Sequence, residues 1–158
     1  MRLLKYITKL IISHFIPCLK HGRVERRNFL REYKVVIDGK FPSMNEFIDA
    51  NRRSKGRWNK GNTIKQNCQN EISYQLMKQL RKVKIDKPIK LFYTFFEPNK
   101  KRDLDNISGF FHKVFQDALV HCGIIHNDSW HYITGFSDDF KVDSKNPRIE
   151  VIIQEVGD

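Results

Sequence analysis

Two short stretches of the chain carry residue types able to work on a phosphodiester. The first is Lys100-Lys101-Arg102-Asp103-Leu104-Asp105-Asn106, three cations followed by two carboxylates one residue apart. The second is Gly123-Ile124-Ile125-His126-Asn127-Asp128. Carboxylates one residue apart point to opposite sides of an extended chain, but at a strand-to-helix bend they can converge. Oxygen-only ligands suit a hard ion such as Mg²⁺, which keeps several waters and shares substrate phosphates. Such an ion activates water and neutralises charge at a scissile phosphate. Asp103, Asp105 and Asp128 are therefore candidate metal ligands, with Lys100, Lys101 and Arg102 as cations beside an anionic substrate. On spacing alone the D-x-D pair has a plainer reading, as a helix N-cap followed by a residue facing the helix dipole.

These residues need elements to position them. A helix is expected from Asp103 or Asp105 to Gly123, because Ile107, Phe110, Phe111, Val114, Phe115, Ala118, Leu119 and Cys122 form an i, i+3, i+4, i+7 stripe. An acidic start and a glycine end are the expected caps. Its stripe phenylalanines read as core or as a dimer interface. Strands are expected at Tyr33–Asp38, Lys90–Glu97, Tyr132–Phe136 and Arg148–Val156, and a helix from Thr63 to about Lys82. Gly39 to Asn62 reads as a long loop of the kind that carries function. The order β–α–β–α–β–β implies an α+β fold, a single domain with two helices packed on a small mixed β-sheet. A helix from 103 to 122 spans about 30 Å, so Asp128 meets Asp103 only if the chain returns along the helix or a second copy supplies it.

Length and charge narrow the partners. The 158 residues fit one domain with one core, and 40% apolar with 30% charged residues exclude disordered and fibrous classes. The formal net charge is +11, and all of it lies in residues 1–65, which hold 16 basic and 5 acidic side chains. That asymmetry points to a polyanion and argues against a generic metabolic enzyme. Part of the excess falls in residues 1–32, read as an extension ahead of a domain at 33–158. The apolar run there is broken by Lys5 and Lys9 and is too short for a membrane span; an amphipathic surface helix is the other reading. Cys18, Cys68 and Cys122 are odd in number and far apart, which suits a reducing cytoplasm and neither disulfides nor a zinc ribbon.

The basic segment from Arg52 to Lys60 reads as a DNA arm: Arg52, Arg53, Lys55, Arg57 and Lys60 for phosphates, and Trp58 to wedge or stack. The plainer reading is a solvated loop with Trp58 tucked onto the core. His126 and His131 flank Asp128 as candidate bases or ligands, with surface positions or phosphate contacts as the alternative. Asn106 orients a carboxylate or belongs to the first helical turn.

The stretch KRDLDNISGFFHKVFQDALVHCGIIHND resembles the signature of the RusA family of Holliday junction resolvases, especially members carried by phages and prophages. The shared pattern is a basic run, R-D-x-D-N, K-x-x-x-D-A-L on a helix, then G followed by two hydrophobic residues and an acidic or Asn-Asp pair, here Asn127-Asp128. Pro42-Ser43-Met44-Asn45 resembles the family's P-P-S-x-N, which brings Asn45 to the site. The resemblance implies a homodimeric, Mg²⁺-dependent endonuclease (Mn²⁺ as the substitute ion) making paired nicks in four-way DNA junctions, in a cytoplasmic, nucleoid-associated setting. It places Asp103, Asp105 and Asp128 as catalytic aspartates. The family's lysine stands four residues after the second aspartate in short members, where this chain has Gly109. Counting back from Asp117-Ala118-Leu119 puts Lys113 on the motif, one helical turn further on and about 10 Å along the axis from Asn106. An i, i+4 ion pair with Asp117 is its plainer role. The alternative function is a non-catalytic module binding single strands or junctions, with the aspartates as caps.

Overall fold

The computed structural model describes residues 31–53 and 59–157. The expected N-terminal extension therefore falls almost wholly outside the described residues, as do Lys55, Arg57 and Trp58. Seven elements follow in order: β1 (Glu32–Asp38), α1 (Met44–Arg52), α2 (Lys60–Gln79), β2 (Ile89–Glu97), α3 (Leu104–His121), β3 (Ile133–Val142) and β4 (Arg148–Glu155). The strands form one mixed sheet in the order β1-β4-β2-β3, antiparallel except for the β2–β3 pair. A parallel pair needs a crossover, and α3 is that crossover.

The α+β architecture on a mixed sheet is as expected, with one more helix than the periodicity suggested. Helix α1 stands inside the stretch expected to be loop. Ser43 caps it: its hydroxyl accepts from the Glu46 backbone N–H (3.3 Å), and the Glu46 carboxylate accepts from the Ser43 N–H (2.6 Å). This S-x-x-E capping box was legible in the sequence, but α1 has no fully buried residue, so apolar periodicity did not announce it. Helix α2 opens at Lys60 on an Asn59 cap, earlier than Thr63. Strand β3 runs on to Val142 through polar Ser137, Asp138 and Asp139, because an edge strand with one face over solvent tolerates polar side chains.

One face of the sheet holds the core. Val35 and Ile37 of β1, Leu91, Tyr93 and Phe95 of β2, and Ile149, Val151 and Ile153 of β4 are buried against α3 and α2. Phe111 of α3 packs edge-on to Tyr93 (6.1 Å) and Phe95 (5.7 Å) and stacks with Phe115 (5.5 Å). The stripe phenylalanines are thus core residues, and Phe110 receives α1 through Phe47 at 5.2 Å. No helix among the described residues is long and apolar enough to cross a membrane.

Candidate phosphodiester site

Strands β1, β2 and β3 run the same way, so their C-terminal ends share one edge of the sheet. The loop after β1 leads into α1 there, and the loop after β2 leads into α3. Strand β2 ends at Glu97, and an Asx turn follows in which Asn99 Oδ1 accepts from the Lys101 N–H at 3.0 Å. Arg102 then folds back into the domain. Its Nε and Nη2 donate to the two Glu97 carboxylate oxygens (3.1 and 2.5 Å), and Nη1 donates to the Phe41 carbonyl at 2.8 Å. Only 16% of the Arg102 side chain and 12% of the Glu97 side chain are exposed, so this fork is a buried clamp joining both loops. The guanidinium proposed from the sequence as a DNA contact is engaged inside the domain; Lys100 and Lys101 remain exposed.

Beyond the clamp, Asp103 occupies the α3 N-cap with extended backbone (φ −70°, ψ 146°), yet its side chain makes no cap hydrogen bond. Its carboxylate instead accepts from Asn106 Nδ2 at a long 3.5 Å. The N-cap reading therefore holds for the backbone and fails for the carboxylate. Asp105 lies exposed in the first turn of α3. Asn45 is exposed in the first turn of α1, next to Met44, which packs on α3. The Met44 methyl would lie 3.4 Å from a Cβ on Gly109. Gly109 is thus the landing point of α1.

Asp128 takes a different place. After Gly123, which adopts a positive φ of 66° that glycine tolerates best, the chain doubles back along α3. Asp128 arrives beside Lys113, whose ammonium is 3.3 Å from Asp128 Oδ2 and 2.7 Å from Asp117 Oδ1. Lys65 of α2 holds the other Asp117 oxygen at 2.7 Å. Lys113 is eight residues after Asp105, about 12 Å along the axis. The return along the helix that Asp128 needed is thus real but stops short. Among the described residues, no group of three or more His, Cys, Asp or Glu side chains is close enough to hold a metal ion. Asp103, Asp105 and Asp128 suit a hard ion in donor chemistry and do not gather around one in this geometry.

The histidines also sort themselves. His126 reaches Asp86 (3.3 Å) and His131 lies edge-on to Tyr132. His112, which the sequence did not single out, is bonded to Asp138 of β3 at 2.8 Å and lies 4.6 Å from the Phe136 ring, seating the edge strand on α3. Burial pushes its imidazole pKa down, against the opposing pull of Asp138. Trp130 was missed as well: 93% exposed, it stands two residues past Asp128, and its only signal in the sequence is a lone indole in a polar loop. Arg52, Arg53 and Lys60 are exposed at the junction of α1 and α2. There Gly61 leaves room for the Asn51 side chain, which donates to the Phe47 carbonyl at 3.1 Å.

The ladder Lys65–Asp117–Lys113–Asp128 has a pH signature. Burial pushes the Asp117 carboxyl up, but hydrogen bonds from Lys113 and Lys65 outweigh it and hold the group below its usual range. A carboxyl depressed by folding contributes stability above its unfolded pKa and loses it as pH falls through the folded one. The stability gap between wild type and Asp117→Asn is therefore expected to stay level from neutral pH to about pH 5 and to close below about pH 4. Thermal denaturation across that range checks it; a gap that widens on acidification contradicts the assignment.

A basic α+β domain with carboxylates and exposed lysines at a strand-to-helix bend belongs, by its chemistry, with proteins that handle phosphodiesters. The family model described as Endodeoxyribonuclease RusA matches residues 49–154, from α1 to the end of β4, and the chain belongs to that family. A search of curated proteins found no match.

Proposed function

We propose that the chain is a structure-specific DNA endonuclease that resolves four-way junctions by paired nicks, acting as a homodimer with Mg²⁺ as its ion and Mn²⁺ as a substitute. Membership of an endodeoxyribonuclease family supports the reaction class. The observation that carries the reading is Asp103: a residue standing at the helix cap whose carboxylate is not used for capping. With Asp105 it offers hard oxygen donors beside exposed Lys100 and Lys101, on a loop whose course the Arg102–Glu97 clamp sets. Mg²⁺ is commonly held by only one or two carboxylates plus substrate phosphates, which suits the Asp103–Asp105 end. In this reading Lys100 and Lys101 hold the backbone near the scissile phosphate, and Asn45 lines the same end. Arg52, Arg53, Lys55, Arg57 and Lys60 gather the junction arms electrostatically, and Trp58 wedges or stacks at the open centre. Asp128 is assigned as the third acidic ligand. A cytoplasmic, nucleoid-associated and prophage-derived setting belongs to the same proposal.

The ungathered carboxylates favour a second reading, a nucleic-acid-binding module without catalysis. Incubation with synthetic four-way and linear duplex DNA, with and without Mg²⁺, separates the two. Paired, metal-dependent nicks confined to the junction are the expected result. Tight junction binding without cleavage under either Mg²⁺ or Mn²⁺ would sink the nuclease reading in favour of the module.

A further inference from the structure

We propose that residues 3–16 dock as an amphipathic helix across the open face of the sheet, forming a third layer opposite α2 and α3. The core and its helices lie on one face of the sheet. On the other face, Phe92 of β2 and Ile152 of β4 are direct neighbours, 38% and 37% exposed. Half-buried Val36, Thr94 and Phe96 continue the patch along β1 and β2. A sheet face that is left to water ordinarily carries polar residues at its centre. This one is apolar at the centre and charged around it, the pattern of a covered surface.

Charge, size and connection select the occupant. The charged groups of the face are engaged with one another. Lys34 pairs with Glu150 (2.6 Å), and Arg148 pairs with Glu150 and Asp143 (2.9 Å each) while its guanidinium lies over the Phe96 ring at 3.7 Å. Lys141 pairs with Asp139 at 3.2 Å. Cations already neutralised in this way make a poor surface for a polyanion. The face measures about 20 Å each way, from about 4.8 Å between strands and about 3.3 Å per residue. Two copies stacked on it would bury roughly 800–1,000 Å², short of the about 1,200 Å² at which stable interfaces begin. Residues 1–30, ahead of β1 and outside the described residues, offer a better match. At helical spacing Leu3, Leu4, Ile7, Leu10, Ile11 and Phe15 fall on one side, with Lys5, Lys9 and Ser13 opposite. A helix over residues 3–16 is about 21 Å long, the length of the face. Pro17 is a stop signal for it. Residues 17–31 then reach as far as about 50 Å, ample to bring the helix over a sheet whose edge strand is β1. Covalent attachment makes the contact intramolecular, so a modest apolar area suffices.

Photocross-linking of the full chain tests the placement, with Phe92→p-benzoylphenylalanine as the probe. Irradiation is expected to join position 92 to residues 3–16 in a product of monomer mass, identified by mass spectrometry of its peptides. Ile7→Asp, within the apolar stripe, is expected to lower that yield about ten-fold or more, because docking would bury a carboxylate. Ser13→Asp introduces the same charge on the opposite side and is expected to leave the yield unchanged. Ile152→p-benzoylphenylalanine repeats the measurement from the neighbouring strand should the first variant fold incorrectly. Cross-links at twice the monomer mass give the face to a second copy, and cross-links to added four-way junction DNA give it to nucleic acid. Absence of cross-links to residues 3–16 from both positions leaves the face open to water. Each of these three results overturns the proposal, as does an equal loss from Ile7→Asp and Ser13→Asp.

Discussion

Asp103→Asn and Asp105→Asn are each expected to lower junction cleavage by roughly 100-fold or more, with junction binding unchanged or tighter. The size follows from losing a carboxylate proposed to hold the ion that neutralises charge at the phosphate, since removing one such electrostatic stabiliser costs about 10²–10³ in rate. The sign for binding follows from charge, since each substitution removes one negative group facing a polyanion. Fold loss is not a competing explanation at Asp103. Asn is as good an N-cap residue as Asp, and this carboxylate makes no cap bond to lose. At Asp105 the cost is a first-turn dipole interaction of about 0.3–1 kcal/mol, small against a typical total of about 5–15 kcal/mol. Melting curves, junction binding and junction cleavage measured on the same preparations test all three statements. Retained cleavage with weakened binding would contradict the assigned role.

The second large effect concerns stability. Arg102→Met is expected to destabilise the domain by about 3–5 kcal/mol, because it leaves the Glu97 carboxylate buried without its partner. For a chain of this size that lowers the melting temperature by about 10 °C. It also frees the Phe41 carbonyl and so loosens the two loops that present Asn45 and Asp103. The double variant Arg102→Met, Glu97→Leu should recover much of the loss, since replacing both charges by apolar groups restores a matched interior. A residue serving only as a DNA contact would behave otherwise, with weaker junction binding and an unchanged melting temperature. The pair of measurements therefore distinguishes a clamp from a phosphate ligand.

Arg102 also shows where reading residue types stops. In the string Lys100-Lys101-Arg102 the three cations look alike, and nothing in their order says that the third turns inward. The turn at Asn99 and the burial of Glu97 at the end of β2 decide it, and both depend on how the strand meets the rest of the sheet. Helix α1 teaches the converse. Its capping box was present in Ser43-x-x-Glu46, but a helix with no fully buried residue does not show in apolar spacing. Lys113–Asp117 was legible, because i, i+4 spacing makes two residues neighbours on any helix. Lys113–Asp128 was not, because it depends on where the loop between α3 and β3 returns.

By itself, the sequence determined the α+β class, the helix carrying the R-D-x-D-N and D-A-L residues, its buried phenylalanine face and the family to which the chain belongs. These follow from local rules of periodicity, capping and motif order that act over a few residues. Tertiary structure decided which charges face solvent and which face each other. It turned Arg102 into a clamp on Glu97, left the Asp103 carboxylate uncommitted, and set Asp128 beside Lys113 rather than beside Asp105. Charge–charge distances between separate elements depend on strand order and loop return, and those are settled only when the whole core closes around α3.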